Sequence, residues 1–147
     1  MKAEKVDCPY CAGEAKFVSS AAVYGGRDYG MIYLCRPCWA YCGVHKGTAK
    51  PLGRLADAEL RDWKKKAHAA FDPIWEARIG KVGSSGKIMK KAHARGSSYK
   101  RLAELLGIEG ADCHIGMFDV AMCKRVVEIC MTGELTFNKE VISHGEN

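Results

Sequence analysis

Cys8-Pro9-Tyr10-Cys11 and Cys35-Arg36-Pro37-Cys38 are separated by 23 residues. Two Cys-x-x-Cys pairs supply four thiolates, the soft tetrahedral ligand set that zinc favours. The two intervening residues let each loop curl so that both sulfurs converge while backbone N–H groups point at them. Pro9 and Pro37 restrict the loops. A site with four protein ligands is closed, with no position left for water or substrate, so the expected role is structural. One zinc ion is expected per chain.

The residues around the pairs fit a zinc ribbon. Lys16–Tyr24 and Tyr29–Leu34 are strand-like runs rich in aromatic and β-branched residues, flanking the turn signal Gly25-Gly26-Arg27-Asp28. A third run, Trp39–His45, follows the second pair. A segment of about fifty residues is marginal without a staple, and the metal supplies one. Lys46–Gly53 then breaks the pattern, and a domain boundary is expected there.

From Leu55 onward the signal is helical. Asp57 is the expected N-cap, and Leu60, Trp63, Ala67, Ala70 and Phe71 form one apolar stripe. Pro73 is expected to end this helix, with a short one over Ile74–Ile79. Gly80–Gly86 reads as a flexible link and Lys87–Arg95 as a basic helix. Ser97 or Ser98 is expected to cap a further helix that stops at Gly107, and Asp119 to cap the last, with Val120, Cys123, Val127 and Cys130 on one face. Thr132–Asn147 reads as a polar tail. The predicted class is α+β: a three-stranded zinc ribbon over 1–53, then an all-helical domain over 54–147, with basic helices over 55–95 and core helices over 97–131.

Composition bounds the function. The 147 residues are 48% hydrophobic and 27% charged, as in a folded protein. No apolar run approaches the roughly 18 residues that cross a bilayer, and MKAEKVDCPY has no apolar signal core. The expected compartment is the cytoplasm, without membrane association. There eight cysteines read as ligands and buried thiols rather than disulfides. The net charge of +6 is uneven: residues 54–101 carry 13 Lys/Arg against 5 Asp/Glu, whereas 102–147 carry 3 against 8. A basic block suits a polyanion; a solvated helix face accounts for it equally well.

Other constellations are weaker. Cys42 lies four residues after Cys38, at poorer ligand spacing. Cys113, His114, Cys123 and Cys130 allow a second metal to be imagined, but free cysteine ordinarily packs as a small apolar group. No Walker A loop, His-Glu-x-x-His or dinucleotide fingerprint is present, so the chain reads as more binding protein than enzyme. Asp57, Glu59 and Asp62 are possible magnesium ligands, although capping explains them more simply. The most coherent picture is nucleic-acid contact by mixed aromatic and basic residues. Arg27, Tyr29, Tyr41 and Lys46 on the ribbon, with Lys64, Lys65, Lys90 and Lys91 on the basic helices, are the candidates. In the competing reading, Tyr33 and Trp39 cover the metal and the ribbon's small core.

CPYC at 8–11, YGMIYLCRPC at 29–38, GVHKGTAKPLG at 43–53, LADAELRDW at 55–63, AHAAFDPIW at 67–75 and CHIGMFD at 113–119 together carry a resemblance. Over roughly 5–135 the chain resembles the zinc-finger-containing proteins of unknown function carried by bacteriophages and prophages. In that family the two Cys-x-x-Cys pairs are the zinc ligands, matching Cys8, Cys11, Cys35 and Cys38. Trp39 departs from the glycine that often follows the second knuckle, and Cys42 from an aliphatic residue. The resemblance implies a phage-related setting inside a bacterial cell, and no reaction. Three functions stay open: a nucleic-acid-binding accessory protein, a module that docks on a host protein complex, and a small metal-dependent nuclease.

Overall fold

A computed structural model of the chain describes residues 2–82, 85–135 and 137. The order is β1 (Lys16–Ser19), β2 (Met31–Cys35), β3 (Ala40–Gly43), α1 (Ala58–Arg78), α2 (Lys91–Leu106) and α3 (Val120–Thr132), with 3-10 turns at Ser20–Ala22, Gly110–Asp112 and Ile115–Met117. The three-stranded sheet followed by helices is the expected class. Contacts group the chain into two compact units. The first runs to Asp62 and takes in Gly116–Asp119; the second holds Trp63–Ile115 and the residues from Val120. The expected boundary at residue 53 lies within the first unit.

The sheet is antiparallel in the order β1-β2-β3, with Phe17 opposite Tyr33 and Tyr33 opposite Cys42. The outer edge of β3 is covered by the chain that follows it. Val44 bridges Pro51, and Tyr41 and Ala56 exchange backbone hydrogen bonds. This pairing carries residues 54–61 onto the ribbon, which is why the unit extends past Gly53. Gly53 is required here: a Cβ would meet the Gly116 carbonyl oxygen at 2.3 Å.

Tyr33 anchors the ribbon. Its ring is fully buried against Phe17, with ring centroids 5.0 Å apart. Its hydroxyl donates to the Ala49 carbonyl at 2.6 Å and accepts from the Glu4 N–H at 2.8 Å, tying three segments together. Tyr33→Phe is expected to cost about 1–3 kcal/mol, because both backbone partners lose their bond and that of the Ala49 carbonyl is buried. Thermal denaturation of the zinc-loaded protein checks this.

Several expected boundaries shift. The run Lys16–Tyr24 is a strand only to Ser19; the Ser19 hydroxyl then caps a 3-10 turn by accepting from the Ala21 N–H. Pro73 does not end α1 but lies inside it. An interior proline costs about 3 kcal/mol, and buried anchors beyond it offset that cost. Trp75 donates from Nε1 to Asp72, and buried Arg78 donates to the Ser97 and Ser98 hydroxyls and the Ala94 carbonyl.

The two helices expected over 87–106 are one, beginning at Lys91. Met89 is buried and exchanges backbone bonds with Gly80 and Lys81, so the residues before Lys90 are extended. Residues 80–82 and 88–89 are thus paired rather than a loose link, and the middle of that link, 83–84, lies outside the described residues. Ser97 and Ser98 are interior to α2, not caps; Ser97 donates back to the His93 carbonyl. Gly107 ends α2 as expected, with φ +73°. Asp57 caps α1 by accepting from the Leu60 N–H at 3.0 Å. On α3 the fully buried face is Cys123, Val126 and Ile129, one position away from the expected Val127 and Cys130, which are half-buried. Most of the tail expected over 132–147 lies outside the described residues.

Candidate metal centre

The hairpin from β1 to β2 brings the two knuckles together. The Sγ atoms of Cys8, Cys11, Cys35 and Cys38 all lie within 4.8 Å of one another. Those of Cys11 and Cys35 are 3.6 Å apart. A tetrahedron with zinc–sulfur distances of about 2.3 Å has edges of about 3.8 Å, so the donors suit zinc in both chemistry and spacing. Cys8 and Cys35 are buried, Cys38 is half-buried and Cys11 is exposed. The Tyr10 N–H points at the Cys8 sulfur and the Gly13 N–H at the Cys11 sulfur, each at 3.4 Å. These donors stabilise thiolate charge.

Without a metal the four thiols compete for negative charge. The Gly13 N–H, and then the Cys35 sulfur, hold the Cys11 thiol below its usual value. The Cys38 thiol is pushed up to about 12, first by its hydrogen bond with Cys11 and then by burial. At Cys35 the Cys38 N–H favours the thiolate, but burial and the other sulfurs outweigh it and the thiol is raised. A divalent cation resolves this competition by neutralising charge that the sulfurs cannot share.

Both knuckles turn through a left-handed residue immediately after the second cysteine: Ala12 at φ +63° and Trp39 at φ +51°. These are the only non-glycine residues with positive φ among the described residues. Glycine is the unstrained choice at such a position. Ala12 is exposed, so Ala12→Gly loses little packing; it is expected to stabilise the zinc-loaded ribbon by about 0.5–1 kcal/mol. The midpoint of unfolding in a chelator-free denaturant series checks this.

Cys42 stands outside the four. It packs against the ribbon core and its thiol donates to the Gly53 carbonyl. Cys113, His114, Cys123 and Cys130 form no such group among the described residues. Burial pushes the Cys113 and Cys130 thiols up to about 11, so both stay protonated as packing groups. Asp57 is occupied in capping. His45 is exposed on a tight turn away from any ligand role, its carbonyl accepting from Thr48.

The aromatic and basic candidates fall into two sets. On the first unit, Tyr24 joins Tyr29 and Tyr41: its ring meets theirs edge-on, with centroids 5.5 and 6.1 Å apart. Arg61 lies over the Tyr41 ring at 4.2 Å and donates to the Ala56 carbonyl at 2.6 Å. Arg27 and Lys46 are exposed on the turns at 25–28 and 45–48. Lys64, Lys65, Lys90 and Lys91 belong to the second unit. Of these, Lys65, Lys90 and Lys91 are exposed, and Lys91 reaches toward the Trp75 ring at 6.0 Å. Trp39, expected to cover the metal, is 43% exposed and has a left-handed backbone at φ +51°. Arg61 has no local signal as a partner of the tyrosines; only the Tyr41–Ala56 pairing brings it there.

Two knuckles whose four cysteine sulfurs converge beside a three-stranded sheet define a zinc-ribbon protein with a structural metal site. The chain belongs to the family of zinc-finger-containing domains, whose model matches residues 4–132. No curated protein and no solved structure matches it. Among the described residues, no helix is long and apolar enough to cross a membrane.

Proposed function

We propose that this is a non-catalytic nucleic-acid-binding protein in which zinc braces the binding surface. The observation that supports it best is an aromatic cluster in which Tyr24 and Tyr29 are exposed, Tyr41 is half-buried and the Arg61 guanidinium lies over the Tyr41 ring. The segment presenting Tyr24, Arg27 and Tyr29 is held in place before any partner arrives. Buried Ser20 accepts from the Tyr29 N–H at 2.7 Å, and Asp28 accepts from the Ser19 hydroxyl and the Gly30 N–H. Those donors, the Gly30 N–H first, keep the Asp28 carboxyl below its ordinary range. A preordered aromatic surface loses little entropy on binding. Arg27 and Lys46 on the ribbon, and Lys64, Lys65, Lys90 and Lys91 on the helical unit, are assigned to phosphates. The setting we propose, an accessory protein of phage type in the bacterial cytoplasm, is supported by the joined sequence motifs.

Fluorescence anisotropy with labelled oligonucleotides at rising salt tests the function. Binding is expected that weakens steeply with salt, because phosphate contacts release counterions. Absence of binding, or binding unchanged between low and moderate salt, would overturn it. Capture of a host protein from nuclease-treated lysate would then favour the protein-docking reading.

A further inference from the structure

The aromatic cluster also bears on which form of nucleic acid is bound. We infer that the Tyr24–Tyr29–Tyr41–Arg61 cluster takes unpaired bases, so that the partner is single-stranded nucleic acid rather than duplex. This rests on the nucleic-acid reading above and narrows it.

The cluster is rich in π-surface and poor in charge. Tyr29 is 68% exposed, Tyr24 46% and the adjoining Trp39 43%. Against these stand two cations, Arg27 and Arg61. Arg61 has one guanidinium nitrogen committed to the carbonyls of Ala56 and Trp39, and its guanidinium carbon lies 4.2 Å from the Tyr41 ring centre. Asp28 sits between Arg27 and Tyr29 in the chain. Four thiolates around one divalent zinc add a net charge of about −2 to the same unit. Duplex recognition depends on phosphate neutralisation or on side chains entering a groove; the cluster itself offers little for either, and the lysines assigned to phosphates lie outside it.

Unpaired bases are a different target, because every base has a π-face and stacking needs no cation. The edge-to-face geometry matters here. Tyr24 meets Tyr29 at an interplanar angle of 87° and Tyr41 at 80°. Rings so arranged do not stack on one another, and each edge contact covers at most one ring face; Tyr29, at 68% exposure, is the ring most open to a flat partner. Arg61 contributes a planar guanidinium of the kind that stacks on bases. A duplex offers such faces only at its ends.

The test titrates the zinc-loaded full chain with a labelled 12-nucleotide single strand and with its duplex, for DNA and RNA, at one fixed salt. Single strand is expected to bind at least tenfold tighter than duplex. Tyr29→Ala should weaken the single strand about 5- to 160-fold, the range for one lost stacked base, and leave the duplex within twofold. Tyr29→Phe, which keeps the ring, should retain single-strand binding within about threefold. Circular dichroism and zinc content of each variant exclude misfolding as the cause. If duplex binds as tightly as single strand, or Tyr29→Ala weakens both alike, the inference is wrong while nucleic-acid binding stands. If neither form binds, both fall.

Discussion

Removing zinc with a strong chelator is expected to abolish the β1–β3 circular-dichroism signal while much of the helical signal survives. The ribbon's buried core is Cys8, Ala15, Tyr33, Cys35, Ala40 and Leu55, so two of its six members are themselves ligands. That core cannot hold a sheet of strands four and five residues long unaided. Structural zinc sites contribute about 10–16 kcal/mol in small domains, comparable to the whole stability of an ordinary domain. None of the four ligands lies in the second unit, where Phe71, Leu102, Ile115, Cys123, Val126 and Ile129 are buried. Cys35→Ser should reproduce the loss without chelator. The effect should also depend on pH. A thiol must lose its proton to bind metal, so affinity falls as pH falls, and less chelator should suffice in mild acid. An unchanged sheet signal after verified zinc loss would contradict the account.

Phe71→Ala should produce the second large effect, of the opposite distribution. Phe71 is fully buried and packs on Tyr99 with ring centroids 4.6 Å apart, at the junction of α1 and α2. Truncating it leaves a cavity, and such changes cost about 3–5 kcal/mol. Tyr99 would lose its main apolar neighbour; its own hydroxyl is already raised by burial. The helical unit should therefore unfold at lower denaturant while the ribbon keeps its zinc. Denaturation followed by circular dichroism, with zinc content measured alongside, separates the two units. A loss below about 1 kcal/mol would mean that the α1–α2 contact is not a packed core.

The contrast between legible and illegible features has a physical cause. Cys-x-x-Cys pairs, a Gly-rich turn midway and an Asp-led helix start are local signals, and each is found where the residues indicate. Pro73, and Ser97 or Ser98 as a cap, point to breaks that are not there, because propensity is a weak prior. The buried anchor Arg78 that overrides it acts through residues 16 to 20 positions away on α2. Trp39 misled for a different reason. A large aromatic beside a metal knuckle suggests a cover, yet Trp39 sits on a left-handed backbone and is 43% exposed. The Arg61–Tyr41 stack had no local signal. It exists because residues 51–56 fold back along β3, and only the pairing of Tyr41 with Ala56 reveals that return.

The measurement closest to the central claim is the metal content of the purified full chain and of single-cysteine variants. One zinc per chain is expected, retained in Cys42→Ser and Cys113→Ser and lost in Cys35→Ser. Two zinc ions per chain, or zinc retained in Cys35→Ser with the sheet intact, would contradict the assignment of Cys8, Cys11, Cys35 and Cys38 as its closed structural site.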